Sequence, residues 1–262
     1  MSVSLAVLAA HLDDFLDIHG FPDKSLNGLQ VEGPAEVERV AVATDAALQT
    51  FELARRGGAQ LLIVHHGLFW GDRPTPVVGA LRRRLQALLE GGLGLYCAHL
   101  PLDAHPEVGN NVLIARRLEL ANLRPFGHLD RSGAASRRGG IPIGVGGDLP
   151  RVLARGEVAT YCEERLGAPV RILPFGDETV RALAVVSGAA ADLAPEAARE
   201  RYGAYLTGET SHAAYHPARE AGLNLLFGGH YATETWGVRA LGEDLARRFD
   251  LEAFFCDAPT GF

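Results

Sequence analysis

The sequence is almost without lysine. Lys24 is the only lysine among 262 residues, and the other basic residues are arginines. No lysine follows a glycine-rich stretch, which excludes a phosphate-binding loop of the Gly-Lys-Ser/Thr type. A Schiff-base enzyme would have to use Lys24. The formal net charge of −7 argues against a general nucleic-acid-binding surface, so we expect no nucleic-acid partner.

Cysteine is also scarce. The positions of Cys97, Cys162 and Cys256 fit neither a disulfide framework nor a thiolate zinc site. A reducing, cytoplasmic compartment is the simplest expectation for such a chain. Apolar residues near the N-terminus are interrupted by His11 and Asp13, which argues against a signal peptide. The apolar runs are far shorter than the ~18 residues of a membrane span, so we expect no membrane partner.

Several common catalytic motifs are missing as well. The sequence has no Gly-x-Ser-x-Gly elbow, no His-Glu-x-x-His helix and no Cys-x-x-Cys pair. The glycines over 144–147 lack the spacing of a dinucleotide-binding fingerprint and the helix that should follow it. The sequence therefore does not support assignment to the serine hydrolases, the metalloproteases of the zincin type, the thioredoxin-like enzymes or the nicotinamide-dependent enzymes.

The apolar residues follow the alternation of strands and helices typical of an α/β protein. In the first half the predicted strands are 37–43, 61–64 and 93–98, and the predicted helices are 4–18, 44–56 and 78–90. A glycine-rich segment over 127–150 predicts turns and short strands. In the second half the predicted strands are 170–174, 180–187, 204–207 and 223–227, and the predicted helices are 152–166, 217–221 and 237–249. We expect mostly parallel sheets flanked by helices.

The two halves resemble each other. The segment LYCAHLPLD over 95–103 aligns with LFGGHYATE over 226–234, so that His99 matches His230 and Asp103 matches Glu234. We interpret this as an internal repeat of two similar α/β domains, 1–126 and 127–262. The alternative is that any two strand–loop segments of an α/β protein look this similar.

Histidines and carboxylates follow the predicted strands. His65 and His66 end a buried strand, and because neighbouring strand residues point to opposite faces, we expect the chain to leave the strand at Gly67. The pair His99 and Asp103 follows another strand. Such positions, at the carboxyl ends of parallel strands, are where open α/β sheets bind ligands. The alternative for any one of these histidines is an ordinary hydrogen-bonding loop residue.

A further pair, His230 and Glu234, lies about one turn apart if a helix opens from Ala232. Imidazole and carboxylate together suit zinc, iron or manganese. Five or more such ligands fit two ions ~3.5–4 Å apart better than one. Each pair alone is weak evidence, because a His-x-x-x-Glu pair usually lies on a solvated helix face.

Other polar residues follow the same strands. Glu209 and His212 are candidates for a general base, for a residue that orients a ligand imidazole, or for plain loop residues. Asp45 is either a ligand contact or the N-cap of the next helix. Cys97 should be buried in its strand. The remaining histidines show no partner pattern and are interpreted as surface or core residues: His11, His19, His105, His128 and His216.

The motifs resemble those of the Nif-three-like dinuclear metal-centre family, whose members are also called GTP cyclohydrolase I type 2 homologues. The resemblance runs nearly from end to end of the chain, with its motifs in the family's order. The segments that carry it are NGLQVEG (27–33), ATDA (43–46), VHHG (64–67), AHLPLDAHPEVGNN (98–111), GVGGDLP (144–150), YLTGETSH (205–212) and GLNLLFGGHYATE (222–234).

The resemblance implies two similar α/β domains and a homohexameric toroid with metal sites facing an internal cavity. Carried over motif by motif, it implies two divalent metal ions per chain (Zn, Fe or Mn). The implied metal ligands are His65, His66, Asp103, His230 and Glu234, and the residues implied to line the site are His99, Glu209 and His212. The chain lacks the large domain that some members carry between their halves.

The activity that the resemblance implies is a GTP cyclohydrolase reaction, in which water adds at C8 of guanine, the ring opens and formate is lost. A pair of metal ions would activate the water, and Glu209 or His99 would move protons. Hydrolysis of another substrate, such as a phosphoester or a peptide, would use the same metals. A hexamer that stores, delivers or senses metal is a second hypothesis. A structural oligomer whose histidines only stabilise the fold is a third.

Overall fold

The computed structural model describes residues 2–71, 73–130, 132–134 and 140–262. It confirms the predicted α/β class, with β-sheets flanked by helices. Within these ranges no helix is both long enough and apolar enough to cross a membrane.

The elements alternate along the whole chain. The strands are β1 (Val3–Ser4), β2 (Gly28–Val31), β3 (Glu36–Val37), β4 (Arg39–Asp45), β5 (Leu61–His66), β6 (Gly94–Cys97), β7 (Ala121–Leu129), β8 (Ile141–Ala154), β9 (Arg171–Pro174), β10 (Thr179–Val185), β11 (Ala204–Thr207), β12 (Asn224–Phe227) and β13 (Glu252–Phe255). The helices are α1 (Leu5–Leu16), α2 (Leu48–Arg56), α3 (Gly79–Glu90), α4 (Leu100–Ala104), α5 (Asn110–Arg117), α6 (Arg155–Leu166), α7 (Ala194–Arg199), α8 (His212–Glu220) and α9 (His230–Phe249).

The chain forms two compact units. The first comprises Met1–Leu102 and Gly237–Ala258, and the second comprises Asp103–Trp236 and Pro259–Phe262. These units are defined by contacts within the structure and differ from the two predicted domains, 1–126 and 127–262. Residues 103–126 belong to the second unit.

The first unit is built on a five-stranded sheet in the order β13-β4-β5-β6-β2. Its first four strands are parallel, and β2 pairs antiparallel with β6. The residues Leu61–Val64 are all fully buried, as expected for a strand covered on both faces. Phe51 of α2 and Leu88 of α3 contribute to the core that covers this sheet.

The second unit is built on a six-stranded sheet in the order β7-β8-β10-β11-β12-β9. Only β10, β11 and β12 pair in parallel, so antiparallel pairs outnumber parallel ones here. Helices α5 and α6 pack on it through buried residues that include Ile114 and Val158.

The prediction of turns and short strands over 127–150 is confirmed for the turn at 132–134 but is wrong from Ile141 onward, because β8 is a single long strand. The glycines of β8 allow neighbouring residues to pack closely against the strand and do not form turns. A Cβ on Gly146 would lie 2.1 Å from the hydroxyl oxygen of Tyr202, and one on Gly144 would lie 2.4 Å from Cγ2 of Val186. Residues 131 and 135–139 of this segment lie outside the described ranges.

The predicted repeat is visible in the topology of each unit. In the first, β4, β5 and β6 are adjacent, parallel and joined by α2 and α3. In the second, β10, β11 and β12 are adjacent, parallel and joined by α7 and α8. The segment with His99 follows the third strand of the first set, and the segment with His230 follows the third strand of the second.

Several predicted boundaries differ from the structure. The helix predicted over 44–56 begins only at Leu48, because Thr44 and Asp45 continue β4, where Asp45 pairs with His66 of β5. The helix predicted over 237–249 is the second part of α9, which begins at His230. Strand β13, which extends the first sheet beside β4, was not predicted.

Candidate metal centre

Three histidines lie together in the first unit. Strand β5 ends at His66, so the predicted end of the strand at Gly67 is confirmed. Both histidines still belong to the strand, so a break in the strand is not what brings their rings together. The ring centroids of His65 and His66 are nevertheless 4.7 Å apart at this strand end. The ring of His99, which follows β6, lies 5.0 Å from His65 and 5.6 Å from His66.

The Nδ1 atom of each of these histidines faces an atom that can only accept. His65 Nδ1 lies 2.9 Å from the carbonyl oxygen of Ala98. His66 Nδ1 lies 2.9 Å from the carboxylate of Asp45, and His99 Nδ1 lies 2.9 Å from that of Asp23. Each Nδ1 must therefore donate its proton.

This arrangement fixes the tautomer, because in the neutral ring the lone pair is then on Nε2. Metal-binding histidines are held in the same way, with the non-ligating nitrogen donating to a carboxylate or a carbonyl. One ring nitrogen from each of His65, His66 and His99 lies within 4.8 Å of the others, close enough for the three to bind one ion.

Asp23 is a residue that the sequence analysis missed. It is buried, and it accepts hydrogen bonds from the backbone of Ser25 and Leu100, the amide of Asn27 and the imidazole of His99. Burial raises its pKa, but the hydrogen bonds, led by that from His99, outweigh burial and hold the pKa at about 2. Asn27 at the start of the NGLQVEG motif also accepts the backbone N–H of His99.

In the second unit, His230 and Glu234 occupy the first turn of α9. His230 Nε2 lies 3.0 Å from Glu234 Oε2, so the predicted separation of one helical turn is confirmed. The other ring nitrogen, Nδ1, lies 3.1 Å from Oε1 of Glu209. Glu234 is almost fully buried. Glu209 therefore orients His230, which is one of the roles predicted for it.

Two glycines make room for this pair. Gly188 has a φ of +65°, and a Cβ there would lie 2.1 Å from Glu234 Oε1 and 3.3 Å from His230 Nε2. A Cβ on Gly208 would lie 2.8 Å from the Cα of His230.

Asp103, also in the second unit, is held by two donors. Its Oδ1 accepts hydrogen bonds from the Asn110 amide at 2.8 Å and from the Ser187 hydroxyl at 2.9 Å. Asn111 accepts the backbone N–H of Ser187 and donates to the carbonyl oxygen of Ile143. The two asparagines of the AHLPLDAHPEVGNN motif therefore fix the orientation of this carboxylate. Ser187 is distant in sequence from Asp103, and no sequence motif indicated that the two residues are in contact.

The structure decides between the alternatives for Asp45 and shows where two other residues lie. The N-cap of α2 is Ala47, so Asp45 is not a cap and instead contacts His66. His212 is exposed at the start of α8, where its ring lies beside that of His216. Cys97 is buried as predicted, and burial raises the pKa of its thiol to about 12.

The donor set suits a divalent transition metal. Imidazole nitrogens with fixed tautomers and buried carboxylates are the ligands that zinc, iron and manganese take. Carboxylates that hold the histidines, from Asp45, Asp23 and Glu209, are the partners expected around such a site.

Comparison with known proteins identifies the family. The family model Duf34/NIF3 (NGG1p interacting factor 3) matches residues 3–260. The chain belongs to the Duf34/NIF3 family. The match extends over both units, and it confirms the family resemblance given by the sequence motifs.

Relatives in this family are similar over their whole length. A protein of Archaeoglobus fulgidus is 43% identical over 258 residues, which cover 98% of this chain and 99% of that protein. One of Pyrococcus abyssi is 44% identical over 255 residues, covering 97% and 98%. Both are named GTP cyclohydrolase 1 type 2 homolog. The crystal structure of TTHA1606 from Thermus thermophilus is 40% identical, with a TM-score of 0.87 over 99% of this chain and 100% of that one.

Proposed function

We propose that the chain binds two divalent transition-metal ions and uses them as a hydrolase of the GTP cyclohydrolase I type 2 kind. The proposed ligands are those given by the family motifs: His65, His66, Asp103, His230 and Glu234. The observation that carries the proposal is the orientation of the histidines. In His65 and His66, Nδ1 lies 2.9 Å from an acceptor, so each ring presents Nε2. The ring of His230 lies between two carboxylates, with Nδ1 at 3.1 Å from Glu209 and Nε2 at 3.0 Å from Glu234.

Divalent ions of this class, when bound, supply Lewis-acid activation of water. The protein's own contribution is to place groups that take and return protons. His99 donates a hydrogen bond from Nδ1 to the Asp23 carboxylate, so its Nε2 can accept a proton. The ionised Asp23 carboxylate stabilises the imidazolium that results. We assign His99 as the general base in the addition of water at C8 of guanine.

Glu209 and His212 have lesser roles in this proposal. The Glu209 carboxylate orients His230 through Nδ1, and with 41% of its side chain exposed it also has access to water. His212 is exposed and is the last residue of the same TGETSH motif, so we place it at the entrance for substrate and not among the ligands. GTP as the substrate rests on the names of the relatives, which are homologues of that enzyme class.

The test is formate release from GTP by protein loaded in turn with Zn²⁺, Mn²⁺ and Fe²⁺. Glu234→Ala is the inactive variant, and Glu243→Ala, an exposed position on the same helix, is the matched control. We expect metal-dependent formate from the wild type and from Glu243→Ala, and none from Glu234→Ala. Absence of formate from protein shown to carry two ions would exclude this reaction and leave another hydrolysis or metal handling.

The assembly is part of the proposal. We propose a cytoplasmic homohexamer, as the family resemblance implies. The cysteines are consistent with a reducing compartment, since Cys97, Cys162 and Cys256 are buried and form no disulfide in the described part of the chain.

A further inference from the structure

A second group of side chains that could hold a metal ion lies in the second unit and shares no residue with the ligands proposed above. It consists of His128, Glu196 and Glu200, each of which places one nitrogen or oxygen atom within 4.8 Å of the others. His128 Nδ1 lies 3.2 Å from Glu196 Oε1. The sequence alone did not reveal the group, because His128 is 68 residues from Glu196 and showed no partner pattern.

The fold brings the three together from two elements. His128 is the last residue but one of β7. Glu196 lies in α7, and Glu200 caps the end of that helix. Because the two glutamates are four residues apart, they share one face of the helix, and that face meets the end of the strand.

The electrostatics of this group favour a cation. Glu196 is 5% exposed, and a carboxylate buried to this degree is costly unless it is paired. Its contacts include the imidazole of His128 and, at 3.3 Å, the backbone N–H of the same residue. A second carboxylate stands beside it, and burial followed by the charge of Glu196 raises the pKa of Glu200.

The geometry fits a metal site as well as a hydrogen bond. The 3.2 Å between Nδ1 and Oε1 matches the ~3.3 Å between neighbouring ligand atoms when each lies ~2.0–2.1 Å from a tetrahedral zinc ion. Three protein ligands leave one position of the tetrahedron for water. The imidazole selects zinc over magnesium or calcium.

We propose that His128, Glu196 and Glu200 bind a Zn²⁺ ion that ties β7 to α7 within the second unit. The ion balances the charge of the two carboxylates and adds to the contacts between His128 and Glu196 that already join β7 to α7. The competing arrangement is an ion-pair network without metal, in which a protonated His128 and the nearby Arg199 and Arg124 balance the two glutamates.

The test is the zinc content of the full chain after saturation with Zn²⁺ and removal of excess ion by gel filtration. Glu200→Gln is the main variant, because this side chain is exposed and we expect the substitution to preserve the fold. His128→Ala is the second variant, and the exposed His19→Ala is the matched control. We expect each of the first two to bind one zinc ion per chain fewer than the wild type, and the control to bind the same number.

The same proteins are heated with and without Zn²⁺. We expect zinc to raise the melting temperature of the wild type more than that of Glu200→Gln. Equal zinc content and equal zinc-dependent shifts in all four proteins would overturn the proposal in favour of the ion-pair network. The comparison is independent of the proposed hydrolase, because Glu200→Gln leaves His65, His66, Asp103, His230 and Glu234 unchanged.

Discussion

At the level of single residues, the candidate metal centre depends on side chains that hold other side chains. Asp23 and Asp45 hold two histidines of the first unit, and Glu209 holds His230 in the second. Ser187 and Asn110 hold Asp103 in the same way. An imidazole or carboxylate with one fixed orientation loses less entropy when it binds a metal, so these residues contribute to affinity without touching the ion.

The pH dependence of stability tests the role of Asp23. Its pKa in the folded protein, about 2, is below its ordinary value of 3.8, so the ionised form stabilises the fold. This contribution, about 2 kcal/mol, is complete above pH ~5 and is lost as the pH falls from 3.8 towards 2. We expect Asp23→Asn to lower the free energy of unfolding of the metal-free protein at pH 7 and to lose this difference in acid.

Urea unfolding at a series of pH values measures this effect. The control is Asp14→Asn, an exposed position on α1, which should follow the wild-type profile. A constant difference between wild type and Asp23→Asn from pH 7 to pH 2 would contradict the assignment of a depressed pKa to Asp23.

The substitution Gly188→Ala tests whether the site requires the space that a glycine leaves beside Glu234. The new Cβ would collide with Glu234 Oε1, and the φ of +65° costs about 1–2 kcal/mol for a residue other than glycine. We expect lower stability by at least that amount together with weaker metal binding, measured by urea unfolding and by metal titration. Gly156→Ala is the control, since it lies in α6 with open space around it and should not destabilise the protein. Unchanged metal affinity in Gly188→Ala would show that Glu234 takes no part in binding.

At the level of secondary-structure elements, the sequence predicted those parts whose signal is local. The buried runs of β4, β5 and β11 and the amphipathic pattern of α1 identified these elements to within a few residues. The candidate ligands lie at the ends of such strands, so their positions could also be predicted. The partners that orient them could not, because Asp23 and His99 are 76 residues apart and only the fold brings them together.

Strand β8 shows why an element can be missed in the sequence. Its glycines look like turn residues when they are considered alone, but they are required by neighbours distant in sequence. Gly146 faces Tyr202, whose ring lies 5.5 Å from that of Phe126. Local propensity therefore conflicts with tertiary packing here, and packing determines the structure.

A double-mutant cycle tests this interpretation of Gly146. We expect Gly146→Ala to destabilise the protein by about 1–3 kcal/mol, the usual cost of overpacking, because the Tyr202 ring must move. In a Tyr202→Ala background the same substitution should cost much less. Urea unfolding of the four proteins gives the coupling energy. Additive effects would indicate that Gly146 is required for its backbone conformation and not for the space it leaves to Tyr202.

At the level of the whole chain, each unit contains the same set of three adjacent parallel strands, and in the sequence each set is followed by a histidine and, four residues later, by a carboxylate. The internal repeat could be predicted because it preserves these residues at matching positions, His99 with His230 and Asp103 with Glu234. The division of the chain could not be predicted, since Gly237–Ala258 returns to the first unit after Asp103–Trp236 of the second.

The proposed hexamer is tested by light scattering coupled to gel filtration. We expect a species of six times the chain mass at micromolar concentration, with or without added metal. A stable monomer under these conditions would exclude the hexamer and leave the metal proposal unaffected.

The proposed metal centre itself is tested by the metal content of the wild type, Asp103→Ala and Glu234→Ala, measured by elemental analysis after loading with Zn²⁺. We expect at least two ions per chain in the wild type and fewer in each variant, with circular dichroism spectra that show the fold is retained. Loss of metal without loss of fold would establish Asp103 and Glu234 as ligands. Wild-type metal content in both variants would contradict their assignment as ligands and, with it, the proposed centre.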